Sequence, residues 1–422
     1  MIKFVFKGIL RDHHRSLFPV LIVTIGVALT VVAHSWVFGV FGDMIEFNAK
    51  YKTGHVSVMT HGYAENIDQM PNDYALVGVD SLVNILNKEF PTLRWAERIH
   101  FGGLIDIPNE EGETKVQGPA MGLALNILSD KSREIDRLNL KNALQRGQLP
   151  QKQGEILLSE LFASKLGVNP GDMATIITST MYGSMSIKNF VVSGTVEFGA
   201  RAMDKGAVVA DVKDAQYMLN MTDAAGELLG YFPEHYNSNR ATTIKQQFND
   251  TYSNPESELS PVMQTIEDDP FLGDYIEMGE SMAGILIFVF ILIMSIVLWN
   301  SGLLSALRRY GEVGVRLALG ESKHHIYGTL IIESLIIGVI GSILGTGIGL
   351  IFANWLEQGI DIGSMLQNST IMMPSVFRGQ ITPQTYYIGF IPGIFSTVLG
   401  TMLAGIGIYK RQTAQLFKEL ET

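Results

Sequence analysis

Chemistry in this chain has few places to reside. The densest candidate is a run of charged and small residues: Arg308, Arg309, Glu312, Val313, Gly314, Arg316, Leu319 and Gly320. Read as a short helix, residues 308–325 are basic on one side and apolar on the other (Val313, Val315, Leu317, Leu319). Such a helix can lay its apolar face in a groove on a soluble partner. Glu312 and Arg316, four apart, share one face, and Gly314 and Gly320 permit close approach and a sharp helix end. The second candidates are ionisable residues inside apolar stretches, Glu333 and His34. An intramembrane acid or histidine is a functional or pairing residue by default.

Other chemistries are excluded or unsupported. The sequence has no cysteine, which removes disulfides, thiolate metal sites and thiol nucleophiles. HExxH, GxSxG and GxxxxGK[ST] are absent, so no catalytic residue is assigned and the chain has no phosphate loop with which to hydrolyse ATP. His55 and His61 are too loosely spaced for metal ligands, and no metal site is assigned. The adjacent acids Glu110/Glu111 and Asp268/Asp269 read as solvated loop charges. A formal net charge of −11 argues against nucleic acid as a partner.

The elements that must position these residues are set by hydropathy. Only 17% of residues are charged and the mean hydropathy is +0.21, so part of the chain lies in lipid. Leu17–Phe41, Met282–Leu307, Ile326–Trp355 and Tyr386–Tyr409 are each long enough to cross about 30 Å of hydrocarbon. The expected organisation is a cytoplasmic interfacial helix over 1–16 and spans at 17–42, 281–307, 326–355 and 386–409. Between them lie a periplasmic domain over 43–280, a coupling helix over 308–325 and an external loop over 356–385, with a cytoplasmic tail over 410–422. The first span reads as an uncleaved anchor, because its apolar run is too long for a signal peptide.

Charge asymmetry orients these spans. Residues 1–16, 308–325 and 410–422 are net positive, whereas 43–280 hold 34 acidic and 19 basic residues. The positive segments belong in the cytoplasm, so both termini are placed there. Lys3, Lys7, Arg11 and Arg15 recur every four residues opposite Ile2, Val5, Phe6, Ile9 and Leu10, the pattern of a helix lying in the interface. Gly341, Gly345 and Gly349 in the third span, and Gly389 and Gly393 in the fourth, have the GxxxG spacing that lets helices approach closely. Packing within one chain and a dimer interface are both open on this spacing. Pro392 is expected to kink the fourth span.

Residues 43–280 mix two periodicities. Gly154–Gly167 reads as a short strand and then a helix ended by glycine, with a turn at 169–172. Met173–Thr178, Phe190–Val196 and Ala207–Val212 read as strands and Asp214–Asn220 as a helix; residues 220–275 match no pattern. The fold class is therefore an α-helical membrane protein: four transmembrane helices, with a large α+β extracytoplasmic domain inserted between helices 1 and 2.

The segment from Arg308 to Lys323 resembles the "RR-x-E-[IV]-G-[IV]-x-[RK]-A-[LM]-G" run of FtsX/MacB-type ABC transporter permeases, with Glu312, Val313, Gly314, Arg316, Ala318, Leu319 and Gly320 in place. Ile331–Gly338 with its glycine ladder is similar to the third span of that family, with Glu333 where those permeases carry an acid. Gly154–Asp172 looks like the family's external core. Length and external domain look closest to lipoprotein-releasing (Lol-type) permease subunits. The resemblance implies a non-catalytic permease subunit of the mechanotransmission type. It implies no cofactor on this chain, with ATP and Mg held by a partner. The implied partners are two copies of an ABC ATPase subunit, a second permease chain (identical or paralogous) and membrane lipid or lipoprotein cargo. On the outer side, the implied partner is a periplasmic carrier or an outer-membrane protein. The implied location is the bacterial inner membrane. Three alternatives stay open: a MacB-like exporter of peptides or antibiotics, an FtsX-like regulator of cell-wall hydrolases, and a membrane sensor or scaffold without an ATPase.

Overall fold

The computed structural model describes residues 13–109, 111–129, 132–233, 236–308, 315–362 and 374–410. Its contacts divide the chain into two compact units, one of 1–42, 276–360 and 377–422, the other of 43–275 and 361–376.

The first unit is built from long apolar helices. These are α1 (His13–Asn48), α6 (Pro270–Arg308), α7 (Lys323–Leu356) and α8 (Phe390–Lys410); α2 to α5 belong to the second unit. Among the described residues, four helices are long and apolar enough to cross a membrane. Val23, Val27 and Val31 of α1 meet Gly341, Gly345 and Gly349 of α7 in the same order, so α1 and α7 run parallel. Gly338 and Ser342 of α7 meet Thr397 and Gly393 of α8, and Thr346 meets Gly389 just before α8; the order is reversed, so that pair is antiparallel. Gly26 against Met294 and Phe41 against Gly279 make α1 and α6 antiparallel as well. Consecutive helices therefore alternate in direction. Most of α6 beyond its Met294 and Leu298 contacts shows apolar side chains outward, among them Ile285, Phe288, Leu292 and Ile296.

Two ends differ from the sequence reading. The helix containing the second apolar stretch starts at Pro270 rather than near 281, because the Asp269 carboxylate accepts from the Leu272 N–H and caps it. Pro392 lies in the first turn of α8, where a helix does not need its missing N–H, and so does not interrupt the span.

The second unit is a ten-stranded mixed sheet with short helices. The strands are β1 (Val56–Thr60), β2 (Arg94–Pro108), β3 (Thr114–Leu125), β4 (Leu144–Gly147) and β5 (Glu155–Ser159). They continue with β6 (Met173–Ser179), β7 (Met185–Val196), β8 (Ala207–Asp211), β9 (Glu227–Tyr231) and β10 (Pro261–Thr265). The order is β10-β1-β9-β2-β3-β8-β5-β7-β4, and β6 pairs with both β2 and β7. That double pairing closes β2, β3, β8, β5, β7 and β6 into a ring, which leaves no open edge along the shared stretch. Alternation sets the inside: in β6, Ala174, Ile176 and Thr178 are buried between outward neighbours. α2 (Val79–Glu89), α3 (Glu160–Leu166), α4 (Val212–Leu219) and α5 (Ser238–Tyr252) cover the core. Phe162, Leu166, Met218, Leu219 and Phe248 join Ile99, Phe101, Ile156 and Phe190 in one buried cluster.

The strand–helix stretch expected over 154–167 is β5 and α3, ended by Gly167 at φ +68°. α4 begins at Val212, two residues earlier than expected, because Asp211 accepts from the Lys213 N–H and caps it. The unpatterned region 220–275 contains β9, α5 and β10.

Candidate coupling and packing sites

Of the coupling segment, Arg309, Glu312, Val313 and Gly314 lie outside the described residues, as do 1–12 of the interfacial helix and 411–422 of the tail. Arg308 is the last residue of α6. Val315–Ala318 form one helical turn. It closes with the Glu321 N–H donating to the Arg316 carbonyl and the Gly320 N–H to that of Leu317, with Gly320 at φ +91°. This is the paired-bond helix stop that glycine allows. Across it the Arg316 guanidinium meets the Glu321 carboxylate at 2.8 Å, so Arg316 pairs forward to Glu321. Val315 and Leu319 are 52% and 83% exposed, leaving an apolar edge uncovered beside a charged pair.

The five glycines are buried in seams within this one chain. A Cβ at Gly341 or Gly349 would stand 2.7 Å from the Cβ of Val23 or Val31. One at Gly345 would stand 2.6 Å from the Thr24 carbonyl oxygen and 2.7 Å from Val27 Cβ. Gly389 meets Val27 and Val31, and Gly393 meets Ser342. Each rung between α7 and α8 therefore sets a glycine against a small hydroxyl residue. His34 is buried, stacked 4.4 Å from Phe38, with Nδ1 3.3 Å from Thr385 Oγ1. Glu333 lies half-buried in α7.

Residues 284–413 match the family model described as FtsX-like permease C-terminal. The chain carries an FtsX-like permease domain. That domain takes in most of α6, the 315–320 turn, α7 and α8, so it contains the whole coupling segment and every glycine of the seams. Curated relatives agree with this assignment. The lipoprotein-releasing system transmembrane protein LolC of Xylella fastidiosa (strain Temecula1) is 25% identical over 283 residues, 64% of this chain and 65% of that protein. The LolC of strain 9a5c is 25% identical over 234 residues, 54% of each chain. An uncharacterized ABC transporter permease protein, Rv0987 of Mycobacterium tuberculosis, is 19% identical over 269 residues, 62% of this chain and 29% of that protein. The chain thus spans about two thirds or less of each relative. Among solved structures, the periplasmic region of MacB from Actinobacillus actinomycetemcomitans aligns at a TM-score of 0.36 and 13% identity, over 55% of this chain and 95% of that one.

Outside the FtsX-like domain, the sheet unit contains a buried ionic cluster that the sequence reading did not single out. Arg98 of β2 is fully buried, its Nη2 2.6 Å from the Glu134 carboxylate, which also pairs with Arg137. The Arg137 guanidinium sits 3.7 Å over the Tyr231 ring. Arg98 Nη2 also donates to the Lys50 carbonyl at 3.1 Å and to the Tyr231 hydroxyl at 3.3 Å. Burial opposes the charge on Arg98, but Glu134 and Tyr231 together hold its pKa above the ordinary value. Directly across the ladder, Glu227 faces Arg98 and lies 3.4 Å from His100. Burial pushes the Glu227 carboxyl up to about 7 against the pull of Arg98 and Lys52. It drives His100 down to about 4, with those two cations adding to the effect.

The Lys50 carbonyl in this cluster belongs to a π-helical turn, Ala49–Thr53, that continues α1. In the same turn, Lys52 Nζ reaches Asp269 Oδ2 at 2.7 Å, while Asp269 Oδ1 caps α6. Asp268 accepts from the Thr265 N–H and pairs with Lys245. The two acids expected to be loop charges are instead structural, because each has a fixed cationic partner and an exposed N–H to cap. His55 is also structural: Nδ1 accepts from the Phe232 N–H at 2.9 Å, and Nε2 is 3.4 Å from Glu46. His61 Nε2 is 2.9 Å from Ser253 Oγ.

Proposed function

We propose that this chain is the permease subunit of an ABC transporter of the mechanotransmission type. A separate ATPase subunit docks on the segment between α6 and α7, and its ATP cycle drives motion of the sheet unit. The observation that carries this reading is the FtsX-like domain over 284–413. The uncovered Val315–Leu319 edge beside the Arg316–Glu321 pair supports it, having the chemistry of a docking surface. The chain itself hydrolyses nothing, and it works as two permease chains with two ATPase subunits. It lies in the bacterial inner membrane with both termini in the cytoplasm and the sheet unit outside. The LolC relatives favour lipoprotein cargo, drawn from the outer leaflet and passed outward.

The test is reconstitution. Purified from its own membranes in mild detergent, the chain should bring down an ATP-hydrolysing subunit and show no ATPase activity without it. Leu319→Asp, at a side chain that touches little of the fold, should cut the recovered subunit at least tenfold. In proteoliposomes loaded with a triacylated lipoprotein and supplied with a soluble lipoprotein-binding carrier on the outside, ATP should transfer lipoprotein to the carrier in the soluble fraction. Recovery of the intact chain with no ATPase would overturn the reading. ATP turnover without lipoprotein release would leave the transporter and remove its cargo.

A further inference from the structure

We propose that Glu227 is a proton-operated switch inside the sheet unit: protonated, its side chain rests on His100, and ionised, it swings to Arg98. This goes beyond the transporter reading and depends on neither the ATPase nor the cargo.

The Glu227 carboxyl is placed between two partners and closed on neither. Glu227 and Arg98 are opposed in the antiparallel β9–β2 ladder, so their side chains share one face of the sheet with Cβ atoms about 5 Å apart. His100, two residues along β2, is on the same face. Its Nε2 lies 3.4 Å from Glu227 Oε1, while Glu227 Oε2 is buried with no hydrogen-bond partner. Arg98 has matching unused capacity. Its Nη2 supplies the Lys50 carbonyl, the Tyr231 hydroxyl and Glu134, but its Nε and Nη1 are buried and unpartnered. Native interiors leave few buried polar atoms unpaired. Here an unused acceptor and two unused donors face each other across one ladder pair, which is what a second side-chain state would close. A rotamer change at Glu227 is the whole movement required.

Protonation decides which state is occupied. The groups facing Glu227 are Arg98 and His100 from β2 and Tyr63 from the short helix His61–Glu65, whose hydroxyl stands beside Gly226. Lys52 acts on it from farther away, and Tyr231 and Glu134 lie beyond Arg98. Burial holds His100 toward its neutral form, so its Nε2 can accept from a protonated carboxyl. An ionised carboxylate gains more from two charge-assisted bonds to a guanidinium than from a neutral imidazole. The carboxyl O–H is the one bond that breaks, and its proton passes to water along the partly exposed His100. With the carboxyl pushed up to about 7, the exchange falls near neutrality. In the orientation proposed above, the switch follows the pH outside the membrane; its chemistry is the same on either side.

The experiment uses the full chain in lipid nanodiscs. Infrared difference spectra between about pH 5 and 9 should show a protonated-carboxyl stretch that loses half its intensity near pH 7. Glu227→Gln, which has the shape of the protonated acid, should abolish that change and keep the fold. Glu97→Gln, at a half-buried acid on the opposite face of β2, should leave it in place. In nitrogen-labelled arginine spectra the Arg98 Nε–H resonance should move with the same midpoint, and Glu227→Gln should hold it still. Arg98→Met combined with Glu134→Gln, a neutral replacement of that pair, should raise the Glu227 midpoint by about one unit or more, a tenfold change in ionisation. A carboxyl signal that is independent of pH, or that Glu227→Gln leaves untouched, overturns the switch. So does a Glu227 signal that titrates while Arg98 stays fixed, because the proton would then move nothing.

Discussion

Val27 of α1 rests on Gly345 of α7 so closely that a Cβ at 345 would lie 2.7 Å from the valine Cβ and 2.6 Å from the Thr24 carbonyl oxygen. Real carbon atoms do not approach to that distance, so Gly345→Ala must push α1 and α7 apart. Overpacking of this kind costs about 1–3 kcal/mol. The melting midpoint of the purified chain should fall accordingly, and adding Val27→Ala should recover part of the loss. Gly347→Ala, one residue pair away with open space around it, should cost nothing. Equal behaviour of the 345 and 347 variants would mean that α1 and α7 do not meet as described.

Much of this seam was visible in the residue pattern, because apolar length and four-residue glycine spacing are local properties. What the glycines face was not. GxxxG spacing is the same whether the partner is another helix of the chain or a second copy, and only the valines at matching intervals of α1 decide it. The closed ring of strands was hidden for a related reason. β6 pairs with β2 on one side and β7 on the other, and neither partner is marked in Met173–Ser179 itself. β7 begins at Met185 rather than Phe190 because hairpin pairing to β6 extends it through Ser186 and Asn189, which the sequence reading leaves unassigned. The ionic cluster was the least legible part. Arg98, Glu134 and Glu227 have the composition of a surface, and a sequence gives no sign that a sheet will close over them.

That cluster predicts an asymmetry between single and double changes. Glu134→Ala leaves Arg98 and Arg137 without their shared carboxylate in a buried site, and breaking a buried pair from one side costs about 3–5 kcal/mol. Adding Arg98→Met, which removes the buried cation, should return a substantial part of it. Denaturant unfolding of the full chain, with Trp36, Trp299 and Trp355 changed to Phe so that the signal comes from Trp95 on β2, measures both. A double variant as unstable as the single one would show that the buried charge is not what destabilises it.

Glu227 and His100 should impose opposite pH dependences on the sheet unit. The Glu227 carboxyl is raised to about 7 in the folded chain. Its contribution is complete below its ordinary value near 4.5 and is lost as pH rises through about 7. The His100 imidazole is lowered to about 4. Its contribution is complete above its ordinary value near 6.5 and is lost as pH falls through about 4. Between about pH 4.5 and 6.5 the two slopes, each about 1.4 kcal/mol per pH unit, cancel. The contributions of these two groups should therefore offset each other across that window. Glu227→Gln removes the falling slope, so stability should rise with pH; His100→Gln removes the rising one, so stability should fall. Parallel profiles for the two variants would contradict the assignment of a neutral acid and a neutral imidazole facing Arg98.

The turn within the coupling segment offers a test in which backbone strain is the only variable. Gly320 has φ +91°, and among the described residues no atom lies within 4 Å of where its Cβ would be. Gly320→Ala thus adds no clash and costs only the conformational penalty of a left-handed position, about 1 kcal/mol. The Arg316–Glu321 pair spans the same turn but is partly exposed, so Glu321→Gln should cost less than that. If the ATPase recognises the closed turn, Gly320→Ala should weaken its binding about fivefold, with the melting midpoint of the helices unchanged. Glu321→Gln should have a smaller effect that shrinks further at high salt, where an exposed pair is screened. Equilibrium binding of the ATPase subunit to both variants in nanodiscs, at low and high salt, gives all four values. Unaltered affinity for Gly320→Ala would show that the ATPase is indifferent to how this segment ends, and docking would then have to rest on residues before Val315.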